Sequence, residues 1–334
     1  MKKVVLNFLL LFVTLCTFSQ DLLTDVEGLI KAKNYTESLE QLNQYIETNP
    51  NSDKAYALRS QVYNYTGKYN LALDDSKKAI TINPKSDFAY YQKGFAEDMS
   101  GDFKNALNSF NTAYKLNPNL LDAKVMIGYT KINTHAYKEA LVDLNEVIKA
   151  DPKKYDAHLY KGLALYYLSD FKSAVAAYNE AVQIDPNDER AYINLANTKY
   201  VWGKNADALV DINKALKINP KDHDAYLLRA HIHLNLKRDQ NAIDDCTNAI
   251  AFGKDNVDAH MTRAFAYSHT KNYKEAVKDM DKVIELDNKN AAAYLYRGEF
   301  KKELEDETAC ADVKKAAQLG DIQASQLVKS FCKK

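Results

Sequence analysis

Apolar and polar residues alternate along this chain with the period of a helix. Much of the sequence divides into segments of about a dozen residues, in which apolar side chains recur every three or four positions, as on one face of an α-helix. Short polar turns such as Gly101-Asp102 and Ser169-Asp170 separate the segments. The pattern therefore predicts an all-α chain of many short helices joined by tight turns.

The same pattern returns every 34 residues. The six prolines keep this spacing, at Pro50, Pro84, Pro118, Pro152, Pro186 and Pro220. Proline disfavours helix at the residue before it and suits the first turn of a helix, so each Asn-Pro or Asp-Pro pair closes one repeat. The chain is thus predicted to be an array of like repeats rather than a pair of globular domains.

Small and aromatic residues keep fixed places in the repeat. One alanine series is Ala55, Ala89, Ala123, Ala157, Ala191, Ala225, Ala259 and Ala293. A second runs Ala72, Ala106, Ala140, Ala174, Ala208, Ala242 and Ala276. Aromatic residues recur at Tyr35, Tyr69, Phe103, Tyr137, Phe171 and Tyr273. Small residues let two helices approach closely and aromatic residues fill the gaps beside them, so the series predict two packed helices in each repeat. Cys246 occupies an apolar position of the repeat and is predicted to be a buried, inert thiol.

Two helices in each 34-residue repeat, with these small-residue series, resemble the tetratricopeptide repeat (TPR) family over residues 20 to 320. The resemblance implies a right-handed superhelical solenoid of antiparallel helix pairs, with about nine repeats and a C-terminal capping helix. It divides the chain into a degenerate N-terminal capping repeat (20–52), seven regular repeats (53–290), and a terminal repeat with its capping helix (291–334). Lys254 and Asn288 stand where earlier repeats have proline.

The first nineteen residues are typical of an export signal. Lys2 and Lys3 precede the apolar run from Val4 to Val13, and small residues Thr17 and Ser19 suit cleavage after Ser19. A run of ten residues is too short to span a bilayer as a helix. Leu15 is too bulky for the residue before a lipidated Cys16, which argues against a lipoprotein. We therefore expect an exported protein, periplasmic or secreted, that does not span the membrane.

Charge and motifs exclude several classes of function. Lys plus Arg equals Asp plus Glu at 45 each, so no basic surplus favours nucleic acid as a partner. The sequence has no glycine-rich phosphate loop and no Gly-x-Ser-x-Gly elbow. His231 and His233 are two residues apart and point to different faces of a helix, so no metal site is expected. We predict no catalytic residues, no cofactor and no metal.

Acidic and basic positions of neighbouring repeats vary together. Five aspartates at one place in the repeat are each followed 18 residues later by a cation, and where that aspartate is replaced, at Ser109 and Ala177, the later residue is apolar. The covariation predicts ion pairs between the second helix of one repeat and the first helix of the next. The predicted pairs are Asp75–Lys93, Asp143–Lys161, Asp211–Arg229, Asp245–Arg263 and Asp279–Arg297. Identical copies favour a structural role over a catalytic one.

The end of the chain is predicted to close with two helices. Gly320 breaks the last repeat helix, and Asp321 is placed as the N-cap of a final helix that runs to Phe331. A hairpin turning near Gly320 brings Cys310 opposite Cys332, which predicts a disulfide. The alternative is that both are unpaired small residues of the core.

The family resemblance implies that the first helix of each repeat lines a concave groove. The inward positions there are Tyr91, Phe95, Met126, Tyr129, Leu159, Tyr160, Leu163, Tyr166, Asn194, Asn197, Leu228, His231, Met261, Phe265 and Tyr296. Among them only Asn194 and Asn197 match the Lys, Asn and Arg that relatives use to bind an acidic chain terminus. The groove is otherwise apolar and aromatic, which suits an adaptable contact with a protein or peptide. The alternative is that these residues only pack neighbouring first helices together.

These features predict a non-enzymatic scaffold that binds a peptide or protein in its groove. The alternative function is a structural spacer in a cell-envelope assembly, joined through its ends or its convex face.

Overall fold

The structure is a computed structural model that describes residues 22–253 and 256–332. Within these residues the chain forms nineteen helices and no strand, which confirms the all-α prediction. The helices are α1 (22–31), α2 (Tyr35–Thr48), α3 (Asp53–Tyr65), α4 (Tyr69–Ile82), α5 (Asp87–Met99), α6 (Phe103–Leu116), α7 (Leu121–Asn133), α8 (Tyr137–Ala150), α9 (Tyr155–Tyr167), α10 (Phe171–Ile184), α11 (Glu189–Val201), α12 (Asn205–Ile218), α13 (His223–Asn235), α14 (Asp239–Phe252), α15 (Val257–His269), α16 (Tyr273–Leu286), α17 (Ala291–Glu303), α18 (Ala309–Gln318) and α19 (Ile322–Phe331). The predicted export signal (1–19) lies outside the described residues.

The chain divides into two compact units, an N-terminal unit that ends at Leu168 and a C-terminal unit that begins at Ser169. In the N-terminal unit the hairpins α3/α4, α5/α6 and α7/α8 follow one another, and the second helix of each packs on the first helix of the next repeat. In the C-terminal unit α10 packs on α11, the hairpins run from α11/α12 to α17/α18, and α19 packs on α18. Each unit is thus built from neighbouring contacts, as the repeat predicts.

The turn inside each hairpin is closed by a residue in the left-handed backbone region. Nine positions at 34-residue intervals have a positive φ: Lys33, Gly67, Gly101, His135, Ser169, Gly203, Lys237, Lys271 and Glu305. A residue with this backbone conformation ends the first helix and allows the second helix to begin after a turn of only a few residues. In two turns the following aspartate caps the second helix, because the side chains of Asp102 and Asp170 accept hydrogen bonds from the backbone N–H three residues later.

The Asn-Pro or Asp-Pro pair makes the corner between repeats. Asn83 Oδ1 accepts a hydrogen bond from the N–H of Lys85, and its amide donates to Asp53 Oδ2 at 2.7 Å. The side chain before the proline therefore turns the chain and ties the corner to the first helix of its own repeat. The corner at Asp287 forms in the same way without proline, because Asp287 Oδ1 accepts from the N–H of Lys289.

Small residues lie where the helices cross. Both alanine series are almost wholly buried, and Cys246 is buried and free, as predicted. Gly94 and Gly128 have no room for a side chain: a Cβ on Gly94 would lie 2.8 Å from the ring of Phe110, and one on Gly128 would lie 2.7 Å from Leu144 Cγ. The core therefore fixes residue size at the crossings as well as hydrophobicity.

The last two helices form the predicted closing element. Asp321 caps α19 by accepting a hydrogen bond from the N–H of Ala324 at 2.7 Å. Cys310 on α18 and Cys332 after α19 are joined in a disulfide. None of the helices among the described residues has the length and apolar character needed to cross a membrane.

Candidate functional site

Within each unit the first helices of successive repeats pack side by side and present one surface, which we call the first-helix face of that unit. In the N-terminal unit α3 contacts α5, α5 contacts α7, and α7 contacts α9. In the C-terminal unit α11 contacts α13, and α13 contacts α15. Because each helix repeats the same inward positions, the contacts between neighbouring first helices also recur, and those described below join residues 31 positions apart.

Aromatic residues form the middle of this face in the N-terminal unit. The rings of Tyr129 and Tyr160, on α7 and α9, have centroids 4.6 Å apart, and Tyr91 packs on Phe110 at 5.8 Å. Burial, with the nearby Asp122 carboxylate, raises the pKa of Tyr91, so its phenol stays neutral. Tyr91, Tyr129 and Tyr160 are each partly exposed, which leaves ring surface for a contact.

Two of the predicted groove residues belong to the core. Met126 is 7% exposed and Leu159 is 3% exposed. Met126 packs against the core around Phe110. Their predicted role as contact residues is wrong, because both side chains are buried and leave almost no surface for a partner. The other thirteen predicted residues are partly exposed: Tyr91, Phe95, Tyr129, Tyr160, Leu163, Tyr166, Asn194, Asn197, Leu228, His231, Met261, Phe265 and Tyr296.

The face of the C-terminal unit combines a polar pair with an aromatic cluster. His231 Nε2 lies 3.0 Å from the hydroxyl of Thr262, and burial lowers the pKa of His231. Phe265 meets Tyr296 edge to face at 4.7 Å, and Phe300 lies beside both. These contacts join α13 to α15 and α15 to α17, so here the predicted residues also hold neighbouring first helices together.

A cleft of about 530 Å³ opens between α1, α3 and the start of α5. Its wall includes apolar side chains, Ile30, Leu58 and Phe88 among them, and a rim of charged residues. The cleft was not predicted from the sequence, because the aromatic residues at the inward positions of the first helices begin only at Tyr91. The sequence of the first repeat carries only a weak indication of a cleft: it has charged residues at inward positions where later repeats have tyrosine or leucine.

The predicted ion pairs between repeats are wrong, because the aspartates pair within their own hairpin. Asp75 pairs with Arg59, not Lys93, and Asp143 pairs with Lys124 and Lys131, not Lys161. Asp211 pairs with Lys199, not Arg229. Asp245 pairs with Arg229, not Arg263, and Asp279 pairs with Arg263, not Arg297. Arg297 pairs instead with Asp312.

The covariation indicated the wrong hairpin. In a 34-residue repeat, a residue 18 positions ahead and one 16 positions behind occupy the same place in the repeat, but the charges match in every repeat only at the spacing of 18, because Asp143 and Asp211 have Ile127 and Leu195 at 16 positions behind. The antiparallel hairpin brings the residue 16 positions behind to the height of the aspartate. Each arginine does reach the preceding hairpin, but at another residue: Arg229 Nη1 donates to Asn213, and Arg59 Nη1 donates to Asn43.

In repeats that lack one member of the pair, a charged residue one helical turn further along the first helix takes its place. Where the cation position is apolar, as at Ile127 and Leu195, a lysine four residues later, Lys131 or Lys199, binds the aspartate. Where the aspartate is replaced by Ser109, Lys93 pairs with Glu97 at 2.7 Å, and Ser109 donates to the same carboxylate at 2.6 Å. The pairs thus serve to join the two helices of a hairpin.

Asp98 is a buried acid that was not predicted from the sequence. Asp98 on α5 is 3% exposed, and neither of its carboxylate oxygens has a hydrogen-bond partner within the described part of the chain. Burial raises the pKa of Asp98, and the nearby Thr130 hydroxyl offsets only part of that effect.

Within residues 22–253 and 256–332, no three His, Cys, Asp or Glu side chains converge as metal ligands. His260 contacts one of the ion pairs within a hairpin. Its Nδ1 lies 2.9 Å from Asp279 Oδ1, which also accepts a hydrogen bond from Arg263.

Family models described as TPR repeat or tetratricopeptide repeat match residues 53–86, 89–120, 162–201, 193–257 and 257–290. The fold is similar to the crystal structure of a tetratricopeptide repeat protein from Parabacteroides merdae, at 21% identity and a TM-score of 0.57, covering 74% of this chain and 98% of that one. It is also similar to PilF of Pseudomonas aeruginosa, at 18% identity and a TM-score of 0.55, covering 63% of this chain and 97% of that one. No curated protein matches the sequence.

Proposed function

Because the chain belongs to the tetratricopeptide repeat family, we propose that it is a non-enzymatic scaffold that holds a peptide or partner protein on its first-helix face. The observation that carries this proposal is the pair of partly exposed tyrosines, Tyr129 and Tyr160, on adjacent first helices. Tyrosine offers a rigid apolar ring together with a hydroxyl, a combination enriched at protein interfaces.

A charge placed on this face tests the proposal. Tyr160→Glu introduces a carboxylate among the rings and should abolish capture of the partner that the wild-type protein crosslinks in its native cell extract. The matched control is Val142→Glu on the outer side of α8, where the valine is 68% exposed. Both variants should keep the helical circular dichroism of the wild type. Capture unchanged by Tyr160→Glu would contradict binding at the N-terminal first-helix face.

The alternative function, a spacer that assembles through its outer face or its ends, is favoured by exposed apolar residues away from the first-helix face. Val142 and Val210 occupy the same place in two repeats and are 68% and 56% exposed, and Ile322 on α19 is 75% exposed. Loss of capture in Val142→Glu, with capture kept in Tyr160→Glu, would support this alternative.

We also propose that the protein works outside the reducing cytoplasm. The disulfide between Cys310 and Cys332 supports this location, because disulfides persist in oxidising compartments, and the residue pattern at the start of the sequence agrees with it. Fractionation of cells that make a C-terminally tagged chain should place the tag outside the cytoplasm. Deletion of residues 2–19 should retain it in the cytoplasm, and the same location for both forms would contradict the proposal.

A further inference from the structure

One buried and one half-buried histidine lie two residues apart on α13, in the C-terminal unit. His233 is 7% exposed, and His231 is partly exposed on the first-helix face. We propose that α13 is an acid-sensitive joint, which loosens from α14 and α15 when mild acid charges these two imidazoles. The joint is a property of the fold and does not depend on the identity of a partner.

His233 occupies a position at which three other repeats have a lysine. Lys131, Lys199 and Lys301 stand there, and each binds the aspartate of its own hairpin. The shorter imidazole leaves His233 Nε2 3.6 Å from Asp245 Oδ2, which is too far for a hydrogen bond. Histidine therefore gives this hairpin a titratable group that does not reach its acid.

A proton added to His233 would find little compensation. Both oxygens of Asp245 already accept hydrogen bonds from Arg229, at 2.8 Å and 2.6 Å. His233 Nδ1 is buried and has no hydrogen-bond partner among the described residues, so the charged ring would bury an N–H without an acceptor. Burial lowers the pKa of His233, the carboxylate of Asp245 offsets part of that effect, and the charges of Arg229 and Arg238 add to it.

His231 joins α13 to the next first helix. Its Nε2 lies 3.0 Å from the hydroxyl of Thr262 on α15, and Thr262 is buried. Burial lowers the pKa of His231, and the carboxylate of Asp258 in the first turn of α15 offsets part of that effect. Among the described residues, no charged group on α11 or α12, which also pack on α13, shifts the pKa of either histidine. Charging His231 therefore places a cation in the contact between α13 and α15.

Acid should destabilise α13 rather than stabilise it. The pKa values of both histidines are lower in the folded protein than the value of about 6.5 in the unfolded chain. The stability linked to the neutral imidazoles is therefore fully present above about pH 6.5 and is lost as pH falls through the folded pKa values. Because the contacts of a repeat array are local, the loss should fall on α13 and the helices packed on it.

Hydrogen exchange of the purified protein at about pH 7.5 and about pH 5, corrected for the intrinsic pH dependence of amide exchange, tests the joint. The internal control is α7, which has Tyr129 and Lys131 at the positions of His231 and His233. Protection of the α13 amides should fall about tenfold at the lower pH, whereas protection of the α7 amides should not fall. Unchanged protection of α13, or equal loss in both helices, would overturn the proposal.

Substitutions that the chain already carries at these positions assign the response to the two histidines. His231→Asn introduces the residue that α11 has there, Asn197, and His233→Tyr introduces the residue that α15 has, Tyr267. The double variant should keep its α13 protection at both pH values. The matched control, His135→Asn, removes an exposed histidine from a turn of the N-terminal unit and should respond like the wild type. A double variant that loses protection in acid as the wild type does would overturn the proposal.

Titration of the wild-type imidazoles by NMR gives a second measurement that does not require the double variant to fold. The signals of His231 and His233, assigned with the single variants, should titrate with midpoints below about 6.5. A midpoint at or above that value for either histidine would overturn the proposal.

Discussion

The guanidinium of Arg229 on α13 donates two hydrogen bonds to the carboxylate of Asp245 on α14, from Nε to Oδ2 at 2.8 Å and from Nη2 to Oδ1 at 2.6 Å. Asp245 is 3% exposed, and Arg229 also donates through Nη1 to Asn213 of the preceding hairpin. The bidentate geometry fixes the two helices in height and rotation, and the third bond joins them to the preceding hairpin. Arg263 and Arg297 repeat the arrangement.

Breaking this pair should destabilise the array more than removing a surface charge. Asp245→Ala leaves a half-buried guanidinium without its carboxylate, and we expect a loss of about 3 kcal/mol in the free energy of unfolding. The control is Asp244→Ala, one residue away and exposed, which should change it by less than about 0.5 kcal/mol. Urea unfolding followed by circular dichroism measures both. Equal stability of the two variants would show that the pair contributes nothing.

The sequence was sufficient to predict the helices, the 34-residue period, the buried alanines and the closing disulfide partners, because each depends on local pattern or on one short hairpin. It assigned the ion pairs to the wrong hairpin, because the charges covary at a spacing of 18 residues whereas Asp143 and Asp211 bind lysines of their own hairpins at a different spacing. It also could not separate Met126 and Leu159, which face the core, from Tyr129 and Tyr160, which keep ring surface exposed. That separation depends on small rotations of each helix, which are set by packing. The cleft at α1 was missed because it is formed by the shape of three helices.

Turns that place an ordinary residue in the left-handed region should gain stability from glycine. Lys271 has φ of 60°, whereas Gly67, Gly101 and Gly203 occupy the same place in other repeats. Lys271→Gly relieves the conformational strain of a side chain there but raises the entropy of the unfolded chain, and we expect a net gain of about 0.5–1 kcal/mol.

The control for this turn is Lys278→Gly, in the middle of α16 and exposed, which should lose about 1 kcal/mol because glycine disfavours the interior of a helix. Thermal melts of the two variants should shift in opposite directions. A lower melting temperature for Lys271→Gly would contradict the strain argument.

Glycine at a helix crossing should resist substitution, because the neighbouring helix leaves no room for a side chain. In Gly94→Ala the new Cβ would meet two carbons of the Phe110 ring at 2.8 Å, so the ring or α6 must move, and we expect a loss of about 1–3 kcal/mol. Gly28→Ala on α1 is the matched control, because nothing lies within 4 Å of its Cβ. It should stabilise the protein by about 0.5–1 kcal/mol through helix propensity. Urea midpoints that fall in both variants, or in neither, would contradict the packing account.

The buried carboxyl of Asp98 should make stability depend on pH in a direction opposite to that of an ion-paired acid. Burial raises the pKa of Asp98 in the folded protein above that in the unfolded chain. The folded state therefore holds the proton more tightly, and the stability linked to protonation is present below the unfolded pKa of about 3.9 and lost as pH rises through the folded pKa. At neutral pH the folded protein carries the cost of a buried charge.

Asp98→Asn removes that charge and has a precedent in the chain. Asn64 lies 34 residues earlier and donates its amide to the backbone carbonyl of Gln92 at 2.9 Å. By the period, Asn at position 98 can donate to the carbonyl of Met126, which already accepts from Thr130 and has a second lone pair. Melting temperatures from pH 3 to 8 should show the variant more stable than the wild type at neutral pH, with the difference shrinking as pH falls toward the unfolded pKa. Asp102→Asn, an exposed N-cap at the start of α6, is the control and should show no such gain at neutral pH. A wild-type protein more stable than Asp98→Asn at neutral pH would contradict the cost assigned to the buried carboxylate.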